Sequence, residues 1–327
     1  MYRLLVIALA FVAWPIGAYA QSASTGSGQA YPSKPIRLLV SDSAGGLADT
    51  VARILGNGLS EVMGQRVVIE NRAGAASNIG ATVAAKSPPD GYTIYQLPQT
   101  VSVNATLYTN LQYDIFRDFL PVMRTGSSPA LVVVHPSLPV KTLADLVKLA
   151  KAQPGSLSFA SAGTGAPTFL AGELFKKFAG IDMLHVPYRG GGEAITAVIT
   201  GETPVYFAPL PVAKPHVESA RLRALAVTSG ARVPAMPQLP TVAEQGYPGY
   251  ETGFWYGMVV PAKTPKEIIA AVHAAMLKTL KLPDVAKRLQ DVSFTTVGDQ
   301  PEAFAEFIKA EVDKWGKIVR ELGLKAN

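Results

Sequence analysis

Apolar positions along the chain fall into two alternating patterns. Short apolar runs predict strands at residues 36–40 (IRLLV), 66–70 (RVVIE), 91–97 (GYTIYQL), 130–136 (ALVVVHP), 157–161 (LSFAS), 205–208 (VYFA) and 222–229 (LRALAVTS). Between them apolar residues recur at helical spacing. Val51, Leu55, Leu59 and Val62 predict a helix that begins near Ala48 and stops at Gly64. Residues 78–86 read as a second helix, and Leu170, Leu174 and Phe178 mark another. Thr142, with Asp145 three residues on, predicts a capped start for LADLVKLAKA. Strands alternating with helices predict an α/β protein with parallel sheets covered on both faces.

The last quarter is more helical. Thr264-Pro265-Lys266-Glu267 has the form of a capping box with proline at the first helical position, followed by Ile269, Val272 and Met276 on one face. A final helix carries Phe304, Phe307, Ile308, Trp315, Ile318, Val319 and Leu322 at helical spacing. That aromatic stripe is read as packing rather than as a cofactor box.

Composition narrows the class. With 327 residues, 48% hydrophobic and 17% charged, the chain has length for a large core and two lobes. Thirty Lys and Arg against 24 acids give a net +6, but the basic residues are spread out. Without a basic run there is no nucleic-acid footprint, and the mild positive balance favours a small organic anion as partner. There is no cysteine, hence no disulfide, thiolate metal site or cysteine nucleophile.

The N-terminus reads as an export signal. Arg3 precedes a short apolar run at residues 4–14, and Ala18-Tyr19-Ala20 has the form of a cleavage site. Residues 1–20 are therefore expected to be a signal peptide cleaved after Ala20, with 21–32 a flexible linker and a periplasmic destination. No later apolar run reaches the ~18 residues that a membrane span needs.

Three segments combine a strand end, glycines and a helix start: 41–49, 161–169 and 186–195. In open α/β sheets ligands bind beyond the carboxyl ends of strands, and helix N-termini there present free N–H groups to anions. Known catalytic templates are missing: no phosphate-binding GxxxxGK[ST], no GxGxxG after a strand, no GxSxG, no HExxH. His135, His185, His216 and His273 stand apart, without metal-ligand spacing. No enzyme activity, cofactor or metal is expected.

With these segments in place, the chain resembles the Bug family, the solute-binding receptors of tripartite tricarboxylate transporters. The resemblance is carried by Gly45-Gly46-x-x-Asp49 followed by Ala52-Arg53, by VVIENRAGAASNIGA (67–81), PPDGYTI (88–94), LAGELFKKFAGIDMLHVPYRGG (170–191), LRALAVTS, and PQLPTVAEQGYPGYE (237–251). It implies a type II periplasmic-binding-protein fold with the ligand cleft between two lobes. Lobe 1 would comprise 33–128 plus 255–327 and lobe 2 would comprise 129–254, with crossings near 126–131 and 250–258. A carboxylate would be held largely by backbone N–H groups of two loops, without chemistry on the ligand. These loops correspond to Ser41, Asp42, Ser43, Ala44, Gly45, Gly46 and Asp49, and to Gly163, Thr164, Gly165, Ala166, Thr168 and Phe169. Tyr188 and Arg189 match a Tyr-basic-Gly motif, in which Arg189 either approaches a second carboxylate or steadies its loop. Dicarboxylates, amino acids and aromatic acids all suit such loops. The implied partners are the membrane subunits of the transporter. A sensor-kinase ectodomain is a second possible partner, and an exported small-molecule hydrolase is a weaker third reading.

The chain departs from the family pattern at informative places. An aromatic ring is common where Asp42 stands, so Asp42 either faces a cationic or hydroxyl group of the ligand or caps the loop and points to solvent. Phe207-Ala208 replaces a frequent Phe-Asp, so an acid is lost at Ala208. Phe169 stands where histidine is frequent. Together with Trp255 and Tyr256 at the second crossing it hints at a bulky ligand, although Trp255 also suits hinge packing.

Overall fold

The computed structural model describes residues 31–326; the expected signal peptide and most of the linker lie outside the described residues. The chain opens with β1 (Ile36–Val40), α1 (Leu47–Met63), β2 (Val67–Asn71), α2 (Asn78–Ala85), β3 (Thr93–Pro98) and α3 (Gln99–Leu107). It continues through β4 (Phe119–Val134), α4 (Leu143–Ala152), β5 (Ser158–Ser161), α5 (Pro167–Ala179), β6 (Leu184–Pro187), α6 (Gly191–Ile199), β7 (Val205–Pro209), α7 (Leu210–Glu218) and β8 (Arg223–Val227). It returns on β9 (Gly253–Pro261) and ends with α8 (Lys266–Lys281), α9 (Pro283–Asp291), β10 (Thr295–Thr296) and α10 (Pro301–Glu321).

Two groups of strands meet on β4. One has the order β2-β1-β3-β9-β4, and the other runs from β4 through β7 and β5 to β6. The outer pairs β1–β2, β1–β3, β5–β6 and β5–β7 are parallel. The pairs of β9 with β3 and β4, and of β4 with β7, β8 and β10, are antiparallel. The sheets are thus mixed rather than purely parallel. β4 runs through both groups of strands, while β9 lies within the first. The first half of β4, Phe119–Pro129, pairs with β9, and Ala130–Val134 pairs with β7. Its register shifts beside Met123 and Gly126, so bulges bend the long strand where it changes lobes.

Local signals explain most helix ends. Gly64 closes α1 in the left-handed conformation, at φ 64°. Thr142 and Asp145 form both bonds of a capping box on α4. The box expected at Thr264 does not form. Thr264 Oγ1 donates back to the Pro261 carbonyl at 2.7 Å, and Pro265 is the cap residue of α8. The helix starts one residue later than expected, so Thr264 stands outside the cap position.

Each lobe has its own core, and α10 serves both. Leu39, Tyr95, Leu97, Trp255, Val259, Phe304 and Ile308 pack together in the first. Phe159, Leu170, Phe175, Phe207 and Tyr250 form the second, which also takes in Trp315 and Val319 near the end of α10. Buried Glu311 binds the two halves, since its Oε2 accepts from Trp255 Nε1 at 2.8 Å and from Trp315 Nε1 at 2.9 Å. Lys177 of α5 pairs with Glu321 at the end of α10.

Candidate functional site

The loop after β1 is built around two acids with different fates. Asp49, 3% exposed, accepts from the Gly45 N–H at 2.9 Å, from Arg53 Nε at 2.9 Å and from Asn71 Nδ2 at 3.0 Å. Burial alone would raise its carboxyl, but the bonds from Arg53, Gly45 and Asn71 hold it below the ordinary value. Asp49 is a brace joining the loop, α1 and β2. Asp42 is exposed, and it accepts a single hydrogen bond among the described residues, from Ser43 N–H to Oδ1 at 2.8 Å. Surrounding protein still strips it of enough water to raise its carboxyl, and Asp49 adds to that rise against the lowering bond from Ser43. Gly45, at φ 83°, lets the chain turn tightly enough for the amides of α1 to open onto the loop.

The loop after β5 repeats this arrangement. Ser161 Oγ accepts from the Gly163 N–H at 3.0 Å and lies 2.6 Å from His185 Nε2, while Ala162 N–H donates to Thr168 Oγ1 at 2.9 Å. Half-buried His185 is pushed down to about 4, by burial first and Lys176 second, so its ring is neutral. Loop, threonine and ring together place the start of α5 at the cleft. After β6 the Tyr188 N–H donates to the Ser161 carbonyl at 2.9 Å, and its hydroxyl engages Thr203 at 2.7 Å and Glu202 at 3.1 Å. Only the ring of Tyr188 remains for the cleft. The guanidinium of exposed Arg189 has no partner among the described residues.

These loops line one cavity of about 660 Å³. Its wall contains Ser41, Asp42, Ser43, Ala44, Gly45 and Gly46 from one lobe, and Gly163, Thr164, Ala166, Thr168, Tyr188 and Arg189 from the other. The starts of α1, α2, α3, α5, α6 and α7 all border it, and none of the six has a side-chain cap. A cleft walled by helix N-termini carries a positive potential from main chain alone.

Five candidates do not reach the wall. Asp49 is spent on its brace. Gly165 is buried, and a Cβ there would press on Leu107 Cδ2. Phe169, 3% exposed, packs with its ring centre 4.4 Å from that of His185. Ala208 is fully buried opposite Leu131 in the β4–β7 ladder. Trp255 is buried edge-on to Phe304 and Phe307, with its N–H on Glu311. In each case packing or bonding to neighbours draws the residue away from the wall, which the residue type alone does not reveal.

The wall also has parts that sequence reasoning missed. Residues 73–77 form a turn in which Gly74, Ala75, Ala76 and Ser77 all have positive φ, at 125°, 46°, 48° and 71°. Alanines in this region are strained, and successive amides in such a turn form an anion-binding concavity. Residues 98–100, the glycines at 190–192 and the rings of Phe254, Tyr206 and Tyr256 complete the lining. The Tyr206 hydroxyl is fully buried beside Thr168, whose side chain opposes part of the upward shift. Burial pushes the Tyr206 and Tyr256 hydroxyls well up, and the charge of nearby Asp42 adds to this. One signal in the sequence marked residues 73–77: a string of small residues between a strand and a helix, the same grammar as 41–49.

Fold and cavity together define a two-lobed solute-binding protein, which encloses a ligand without reacting with it. The model of the tripartite tricarboxylate transporter family receptors matches residues 51–324, and the chain belongs to that family. Its members are Bug-type periplasmic receptors that work with tripartite transporters and are not enzymes. BugT of Bordetella pertussis is 33% identical over 327 residues, covering 99% of each chain. An R. palustris protein solved with adipate is 33% identical with TM-score 0.85, over 90% of this chain and 99% of its own. MatC from Rhodopseudomonas palustris, solved with bound malate, is 28% identical with TM-score 0.82, over 88% and 100%. Among the described residues no helix is long and apolar enough to cross a membrane, and no cluster of side chains could hold a metal ion.

Proposed function

We propose that this chain captures a small carboxylate in the cavity between its lobes and delivers it to the membrane subunits of a tripartite tricarboxylate transporter. The observation that carries this reading is the convergence of six uncapped helix starts, drawn from both lobes, on one cavity. One such terminus contributes about 0.3–1 kcal/mol at an exposed site, and micromolar affinity needs about 8 kcal/mol, so several must act together in a closed cleft. The solved relatives with adipate and malate support a carboxylate as ligand. The mature protein begins at Gln21 on this reading. The lobes are 33–128 with 255–327, and 129–254, with the end of α10 packed on the second lobe. Ser43–Gly46 together with Gly163, Thr164, Ala166 and Thr168 hold the carboxylate, and closing the lobes presents a new outer surface to the partner. The same surface would suit a sensor-kinase ectodomain.

A thermal-shift screen tests the proposal. Protein starting at Gln21 is denatured, refolded to remove any carried ligand, and screened against mono-, di- and tricarboxylates, amino acids and aromatic acids. A ligand at about 100 times its Kd stabilises by ~2.7 kcal/mol, which moves Tm by several degrees. No saturable shift with any acid would refute the reading. Ligand-dependent pull-down of the transporter subunits or of a kinase ectodomain separates the two partners.

A further inference from the structure

We propose that the solute carries a protonated amine as well as a carboxylate, and that Asp42 is the residue that selects it. This deepens the receptor reading above and rests on it. Asp42 stands on the cavity wall, wetted, with Oδ2 turned toward Gly46 and one backbone bond on Oδ1. It does not cap α1, whose start has no side-chain cap bond. No lysine or arginine pairs with it among the described residues, and no cluster of side chains there could hold a metal ion. A carboxylate left uncompensated within a cleft that otherwise attracts anions opposes a second carboxylate near it and favours a cation.

The rest of the wall fits a dipolar ligand. Arg189, unpaired, lines the same cavity from the loop after β6, and Asp42 comes from the loop after β1 on the other sheet. The hydroxyl of Tyr206 is fully buried at the wall, 3.5 Å from where a Cβ on Gly191 would stand, and within range of the Asp42 charge. A solute with a carboxylate on the loop amides or Arg189 and an ammonium on Asp42 satisfies acid and base at once. A plain dicarboxylate leaves Asp42 opposed. The raised carboxyl of Asp42 agrees, because an ammonium beside it would relieve the cost of its charge.

The test is calorimetric titration with matched acids that differ only in the amine: succinate against aspartate, glutarate against glutamate, and propionate against alanine. Wild type, Asp42→Asn and Asp42→Ala are compared at pH 7.5, with unfolding curves to confirm that each variant folds. Wild type is expected to prefer the amine of at least one pair. Both variants should lose roughly 10- to 100-fold for that amino acid, the range of a hydrogen bond to a charged group, and lose nothing for its deaminated partner. Preference for the deaminated acids, or equal losses for both members of a pair, overturns the assignment and leaves the receptor reading intact. Failure of every acid to bind wild type overturns both.

Discussion

Asn104 Nδ2 lies 2.7 Å from the carbonyl oxygen of Ala76 and 2.7 Å from Asn78 Oδ1. Fully buried Asn104 thereby holds the strained turn at 74–77 against the second half of α3, with Tyr113 OH donating to the same Asn78 oxygen at 2.7 Å. Asn104→Ala removes two buried bonds, so a loss of about 2 kcal/mol is expected in urea unfolding. The turn would relax toward ordinary backbone, and solute affinity should fall by more than the stability change explains, read by titration well below the unfolding transition.

Acid should weaken the protein through His185. In the unfolded chain this histidine takes up its proton near pH 6.5, whereas in the fold it waits until about 4. The stability it contributes is therefore complete above about pH 6.5 and is lost as the pH falls from there toward 4, on the order of 2–3 kcal/mol in all. His185→Gln should flatten this part of the stability profile relative to wild type. Parallel profiles for the two proteins would show that His185 is not the sensor.

Glu311 is the shared acceptor of Trp255 and Trp315, and Lys314 lies 3.5 Å away. Glu311→Ala leaves the buried Trp255 indole N–H unpaired, at about 1–3 kcal/mol, and takes one acceptor from Trp315, whose N–H also reaches the Gln99 amide oxygen at 3.0 Å. Glu311→Gln keeps an acceptor oxygen and should recover more than half of that loss. Equal unfolding midpoints for the two variants would count against this role.

Gly80 of α2 lies against the loop that follows β1. A Cβ there would come 2.5 Å from Ser41 Cβ and 3.0 Å from the Arg72 carbonyl. Gly80→Ala must push Ser41, and with it the turn that carries Asp42, at a cost of about 1–3 kcal/mol. The expected result is a modest drop in Tm together with weakened solute binding. Unchanged affinity would mean that the loop tolerates displacement.

Much of the site was legible because a strand end, glycines and a helix start follow one another in sequence, as at 41–49, 161–169 and 186–195. The turn at 74–77 was not, because its left-handed alanines are imposed by Asn104, far along the chain, and alanine has no preference for that conformation. The first half of β4 was hidden because Gly126-Ser127-Ser128-Pro129 has turn composition, while pairing with β9 keeps it extended. α7 was hidden by Pro211 and Pro215 within it. Phe169 was assigned to the cleft through the resemblance of its loop and Trp255 by residue type at the second crossing, yet nearby aromatic rings and, for Trp255, Glu311 draw them into the core.

The anion half of the cavity is built from main-chain amides, and a main chain cannot be deleted by changing a codon. Substitution in the loops can distort that half but not recode it, so the capacity to hold a carboxylate should survive drift over long spans. The exposed side chains at 42 and 189 are free to vary on that constant background. A saturation library confined to those two positions should therefore yield receptors of altered preference that still bind acids. A library spread over 43–46 and 163–168 should mostly yield receptors that bind less of everything.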